Sequence, residues 1–492
     1  MTTQAAEATD RKDIAKGAAQ NLAGFIIRLG ARLPFLLIVA LLYGKARFGE
    51  YLFAVAVVET CLALISLGFR RSLFKFQDSG SGADGCLDFH QAIARSFLIC
   101  LSLGTFVVAL WYSLAAAFGL DNEVFRGVWY ILPTILTYAC TELLLTATRA
   151  SRKMQYEVIA KSIVEPYSLS IFAAACYYLG HLDAGLYYAY WGMNLCILSY
   201  AIYAFTRLYS GIDLKRTFSG LWSASEIAKM LRFTLPTAMN DLIINTASRI
   251  DIYLIAGFVT PEAIGIYGIA LQILTIVKKI RMSFDPVLDP IIASSIKRMD
   301  PKRVIAKLTD VGVMIFLIQM LIVGLLMYFG QLLLGLFDVT GDTAKATLII
   351  LVLSTVIHDS FGLSETLFIF KRPSINMMAS GLGLISVVCA GLILIPRYGI
   401  LGAALSMLTA NVITTSFLLL LTRRFFRAIP MDVRVFVVCG VFGCHLLLMQ
   451  LLNDLLDARA TVVGPLSLVI GFILYGLCFK WFNRAPVTVY KG

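Results

Sequence analysis

The sequence predicts an all-α polytopic membrane protein of about fourteen transmembrane helices. Composition, the spacing of apolar runs and the sidedness of the basic residues carry that reading. Of the 492 residues, 59% are hydrophobic and 15% charged, against about 45–50% and 25% in a soluble domain, so most of the chain must leave water. Each apolar run is near the ~20 residues that cross a hydrocarbon core, and no series of alternating apolar and polar segments suggests a barrel. Of the 42 lysines and arginines, 31 fall on one side of this topology and six on the other. That asymmetry places both termini in the cytoplasm. The formal charge of +12 then answers to anionic lipid and implies no nucleic-acid partner.

The first 18 residues are polar and charged, with no short apolar core and small-residue cleavage site, so no cleaved signal peptide is expected. Six spans follow, at about 19–43, 51–70, 90–118, 127–148, 158–180 and 184–206. A basic connection over 207–235 separates them from six more, at about 236–258, 264–288, 305–329, 345–370, 374–395 and 399–422. Two further spans, 432–452 and 461–483, complete the set. In the long connection, Ser223 or Ser225 is placed to cap a short amphipathic helix, with Glu226 in its first turn and Leu231 and Phe233 toward the membrane.

The chain repeats itself. "GEYLFA" begins at Gly49 and "GIYGIA" at Gly265, so the pattern G-x-Y-x-x-A recurs 216 residues apart, each time near the start of a span. An arginine lies upstream of each: Arg32 is 17 residues before Gly49, and Arg249 is 16 before Gly265. This predicts an N-lobe over 1–206, a linker over 207–235, a pseudo-symmetric C-lobe over 236–424 and two extra helices over 425–492. Six spans is an even number, so the lobes are parallel repeats about an axis along the membrane normal.

Charges inside spans mark candidate sites, because a charge at the bilayer centre costs about 2.5–3.5 kcal/mol even on the lenient insertion scale. The cations are Arg28, Arg32, Arg95, Lys161 and Arg249. Arg28 and Arg32 share a helix face, where like charges repel slightly. A shared anion would stabilise both, and guanidinium forks suit phosphate oxygens. Each of the others has a plainer alternative. Arg95, near a cytoplasmic end, has the reach to snorkel. Lys161 and Glu165, at i and i+4, fit a mutual structural pair as well as a cavity site. Arg249 and Asp251 point to different faces, which predicts a partner for Arg249 on another helix. Acids are as numerous as bases: Glu59, Glu142, Glu165, Asp241, Asp251, Asp359 and Glu365 also fall within spans. His358 beside Asp359 fits a proton-linked pair or a satisfied structural histidine. Most of the ten cysteines sit in apolar spans without CxxC or Cys/His spacing, so neither a metal nor a cofactor is expected.

Three stretches resemble a known family. "AKGAAQNLAGFIIRLGARL" with "RFGEYLFA" and "LGFRRSLFKF" is similar to the opening of polysaccharide-biosynthesis exporters and oligosaccharide-lipid flippases of the multidrug/oligosaccharidyl-lipid/polysaccharide exporter superfamily. "FTLPTAMNDLIINTASRIDIYLIAGFVTPEAIGIYGIA" resembles the start of their second lobe, including its aspartate, here Asp251. "LILIPRYGILGAALS" resembles their Pro–Tyr–Gly–x–x–Gly–Ala–Ala pattern between the eleventh and twelfth helices. The resemblance extends to about residue 425. It implies a non-enzymatic transporter of two six-helix lobes that opens alternately to the two sides. Its cargo would be an undecaprenyl-diphosphate-linked glycan, moved from the cytoplasmic to the outer leaflet of a bacterial inner membrane with the lipid tail in the bilayer. Such proteins serve lipopolysaccharide or exopolysaccharide pathways alongside polymerase and chain-length proteins, and H+ or Na+ is the implied coupling ion. Lipid II flippases of the superfamily use cavity arginines, and Arg28 and Arg32 look like a counterpart of the pair in their first helix. Arg249, Arg95 and Lys161 complete the expected cationic cavity, with Glu165, Asp251, His358 and Asp359 as second-shell or coupling groups. Two negative charges moving outward across 100 mV gain about 4.6 kcal/mol, at 2.3 per charge. The alternative reading is a cation-coupled antiporter of drugs or other small molecules. An enzyme acting on the same lipid fits less well, because every predicted external connection is short.

Overall fold

The computed structural model describes residues 30, 33–69, 89–119, 123–151, 153, 155–209, 224–297, 301–456, 460–482 and 490–491. Each predicted span after the first coincides with a helix or a helix pair. Ten helices among the described residues are apolar and long enough to cross a membrane, and one bent pair makes an eleventh. Two predicted spans fall short of that apolar criterion for visible reasons. The helix Gly185–Leu208 carries five tyrosines, and Ala224–Ala256 carries Asp241, Asn245, Arg249 and Asp251.

The chain divides into two compact units. The first covers residues 30–265. Its helices are α1 (Leu33–Ile38), α2 (Lys45–Ile65), α3 (Phe89–Phe118), α4 (Glu123–Ile131), α5 (Thr134–Ala150), α6 (Gln155–Ile159), α7 (Glu165–Tyr178), α8 (Gly185–Leu208) and α9 (Ala224–Ala256). α2 lies at its centre, packed against α4, α9, α5 and α3. Its small and β-branched inner face, Ala54, Ala56, Val58 and Ile65, is buried. Such residues let helices approach closely where no hydrophobic effect drives them together in lipid. Tyr43 donates to the Ala173 carbonyl at 2.7 Å, tying the end of the first span to α7.

Prolines shape this unit. Pro133 divides the fourth span into α4 and α5, bent by 57°. A proline removes an N–H and crowds the carbonyl four residues back. Here the Thr134 hydroxyl donates to the nearby Ile131 carbonyl at 2.6 Å, supplying a bond inside the bend. Upstream of Pro166 the ladder widens into a π-helical turn, Ala160–Val164, which carries Lys161.

The second unit begins at residue 266. Its helices are α10 (Pro261–Lys297, from its second turn), α11 (Pro301–Gly335), α12 (Asp342–Phe361), α13 (Ser364–Lys371), α14 (Pro373–Tyr398), α15 (Ile400–Phe426), α16 (Arg434–Leu456) and α17 (Ala460–Phe482). A core of Ile280, Phe284, Leu288, Leu308, Ile315 and Leu367 joins α10, α11 and α13. The "PRYGILGAA" stretch is explained here. Gly399 turns the chain with φ +58°, and a Cβ at Gly402 would run into the Leu394 carbonyl. The motif therefore reports a tight α14–α15 hairpin. The two last helices pack on α11, where Arg434 donates to Asp310 at 2.8 Å and also contacts Asp432. A short antiparallel pair, β1 (Ala428–Ile429) with β2 (Tyr490–Lys491), brings the end of the chain back to this corner.

The amphipathic segment expected before residue 236 is not a separate short helix. From Ala224 onward it forms the first turns of α9, which runs unbroken to Ala256.

Candidate functional site

A cavity of about 580 Å³ lies in the 30–265 unit, within the ~300–1,000 Å³ typical of ligand pockets. Helical spacing assembles it. Glu59, Leu62, Ala63 and Ser66 form a stripe on α2 and its end. Tyr138, Glu142 and Arg149 recur at one- and two-turn intervals on α5, below the Pro133 bend. Lys161 enters from the π-turn, Glu165 from α7, and Asp241 and Asn245, one turn apart, from α9.

Lys161 is the hub. Its ammonium lies 2.6 Å from Glu142 Oε1 and 3.4 Å from Glu165 Oε2, and donates to the Tyr138 hydroxyl at 2.9 Å. The i, i+4 pair with Glu165 therefore forms, but Glu142 is the closer partner. Arg249 finds the cross-helix partner its spacing predicts: Nε and Nη2 both donate to Glu59 Oε2, at 2.9 and 2.6 Å. Tyr253, one turn on, donates to the Ala56 carbonyl at 2.7 Å and shares a 2.5 Å hydrogen bond with Thr60. These contacts pin α9 to α2. Arg149 pairs with Glu157 of α6 at 2.9 Å.

The expected cationic excess is not found among the described residues. Four carboxylates line the cavity against two cations, Arg149 and Lys161, and both of these have acidic partners. The physical reason is desolvation: a cation in the membrane interior is held by acids on neighbouring helices. Arg28 and Arg32, which were to supply the excess, lie outside the described residues.

Several predicted site residues lie elsewhere. Arg95 is buried and lines a separate apolar groove with Leu67, Leu98 and Leu231, because α3 turns that face toward the start of α9. Asp251 is buried, and its Oδ1 accepts from the Ile252 backbone N–H at 2.9 Å. His358 and Asp359 belong to the second unit. They do not pair with each other, since neighbouring helical residues point about 100° apart. Asp359 accepts from Gln319 at 2.8 Å and lies 3.7 Å from Arg281, while His358 and Arg281 both approach Glu365, at 3.7 and 3.4 Å. Tyr138, Arg149 and Asn245 were not anticipated. Their signal was positional, in the 138/142/149 and 241/245/249 spacings. Among the described residues no group of three or more His, Cys, Asp or Glu side chains is arranged to hold a metal ion.

No curated protein sequence matches the chain. Its structure is similar to that of the lipid II flippase MurJ in an inward closed conformation, with TM-score 0.70 and 14% identity over 94% of this chain and 98% of that one. It is also similar to an inward-facing multidrug resistance MATE family transporter of the MOP superfamily, with TM-score 0.63 and 15% identity over 84% of this chain and 99% of the other. A third likeness, at TM-score 0.53 and 14% identity over 84% and 95%, is to a MOP superfamily transporter from Pyrococcus furiosus described as having a binding pocket of reverse polarity. At these identities the likenesses speak to the fold alone. The family model described as "Polysaccharide biosynthesis protein" matches residues 38–337, more than half of the chain, and the protein belongs to that family.

Proposed function

We propose that this protein is a flippase that carries a polyprenyl-diphosphate-linked oligosaccharide from the cytoplasmic to the outer leaflet by alternating access. The observation that carries the reading is a polar, ion-paired cavity within the membrane-spanning helices of a chain from a polysaccharide biosynthesis family. A cargo that is part hydroxylated and part hydrocarbon needs such a cavity for its head while its tail stays in lipid. Arg28 and Arg32 are the residues proposed to receive the diphosphate, because the cations that line the described cavity are already engaged by acids. The Arg281, Asp359, His358 and Glu365 group is proposed as the site where H+ or Na+ couples to transport, since ionisable groups inside a membrane mark ion pathways. Its polymer pathway and its place in a bacterial inner membrane, with both termini cytoplasmic, belong to the same proposal.

A second reading is favoured by the four carboxylates of the cavity: a cation-coupled antiporter of small cationic molecules. Proteoliposomes separate the two. Translocation of a fluorescent undecaprenyl-diphosphate glycan, lost in a folded Arg28→Ala/Arg32→Ala double variant, supports the flippase with its arginine slot. Equal translocation in both returns the arginines to a structural role. Cation efflux without lipid movement favours the antiporter.

A further inference from the structure

We infer that the described wall of the cavity is a sugar-recognition surface that selects neutral and amino sugars and rejects acidic ones. The inference deepens the flippase reading and rests on it for the lipid anchor, while the selection stands on the cavity itself. Two cations line the wall and a third, Arg249, is held by the lining residue Glu59, and each of the three is already bound to acid. Lys161 lies between Glu142 and Glu165, Arg149 faces Glu157, and Arg249 gives its Nε and Nη2 to Glu59. A uronate entering here meets no unengaged cation at these three positions and comes close to four carboxylates. Like charges brought together at short range are a standard device for excluding a wrong partner. A hydroxyl or ammonium group meets the opposite environment. Glu59 uses only Oε2 for Arg249, so Oε1 is placed to accept. The Asn245 side chain donates to the Asp241 carbonyl at 2.7 Å, which orients its own oxygen as a further acceptor. Glu59 and Arg249 are 38% and 34% exposed, so this edge of the cavity is open and reachable.

The test compares three probes that share an undecaprenyl-diphosphate anchor and differ only in the sugar: glucosyl, glucosaminyl and glucuronosyl. Binding to the full-length protein in nanodiscs is read by native mass spectrometry, so the anchor's contribution is common to all three. The expected result is occupancy at least about tenfold lower for the glucuronosyl probe, equivalent to ~1.4 kcal/mol. Glu59→Gln, which releases Arg249, is expected to raise glucuronosyl binding, and Asp241→Asn provides a second variant should the first fold poorly. Equal occupancy for the three probes, or a preference for glucuronosyl, overturns the inference. Translocation is measured separately. Selective binding without translocation leaves the sugar wall standing and defeats the flippase reading. Translocation without selectivity does the reverse.

Discussion

Arg249 on α9 gives both its Nε and its Nη2 to a single oxygen of Glu59 on α2, at 2.9 and 2.6 Å. Each side chain is about one-third exposed, which discounts the worth of the pair. A double-mutant cycle with Arg249→Ala and Glu59→Ala is expected to give a coupling of about 1 kcal/mol or less, read from thermal unfolding in detergent. A larger coupling would mean that the pair is a structural clamp with no freedom to exchange partners with cargo.

The Lys161 group behaves differently because it is better buried, with Glu142 only 10% and Glu165 20% exposed. Removing the cation by Lys161→Met leaves two carboxylates facing each other in a membrane interior. The expected loss is about 3 kcal/mol, the low end for breaking a buried pair. Adding Glu142→Gln to Lys161→Met is expected to recover part of it. No recovery in the double variant would show that packing rather than charge sets the cost.

These two groups also show how far the sequence could be read. The length of the apolar runs located the spans because the bilayer imposes a length that little else imposes. The i, i+4 spacing of Lys161 and Glu165, and the opposed faces of Arg249 and Asp251, were legible because they depend on one helix alone. Glu142 as the nearer partner of Lys161 was not, since it depends on how the Pro133 bend aims α5 and how the π-turn rotates Lys161. Neither effect has a spacing signature. The separation of Arg95 from the cavity was hidden for the same reason: burial on a helix does not say against what.

Gly49 and Gly265, the two glycines of the repeated motif, approach each other closely. A Cβ at Gly49 would run into the Pro261 carbonyl, and one at Gly265 into the Lys45 carbonyl and to within 3.3 Å of the Gly49 nitrogen. Backbone atoms cannot yield as a flexible side chain can. Gly49→Ala and Gly265→Ala are each expected to cost about 1–3 kcal/mol, despite alanine's better helix propensity. Gly476→Ala on α17, where a Cβ meets nothing within 4 Å, is the control. It is expected to be neutral, or stabilising by up to ~1 kcal/mol. A neutral result at Gly49 and Gly265 would show that the crossing opens readily.

Arg434 gives a prediction about the last two helices. Its guanidinium lies between Asp310 of α11 and Asp432, with side-chain exposures of 6%, 10% and 1%, and sits 5.8 Å from the Phe482 ring of α17. One cation therefore joins α11, the start of α16 and the end of α17. Arg434→Ala would leave two buried carboxylates close together, at a cost of about 3–5 kcal/mol. Because the buried His445 of α16 lies 3.3 Å through Nε2 from Ser467 of α17, and both helices also pack on α11, the loss is expected to be local. Limited proteolysis should cut first near residue 430 in the variant, with the rest of the chain protected. Arg434→Lys keeps the charge but loses the fork geometry, and is expected to fall between the two. Uniform cleavage along the whole chain in Arg434→Ala would instead mean that this cluster supports the entire unit.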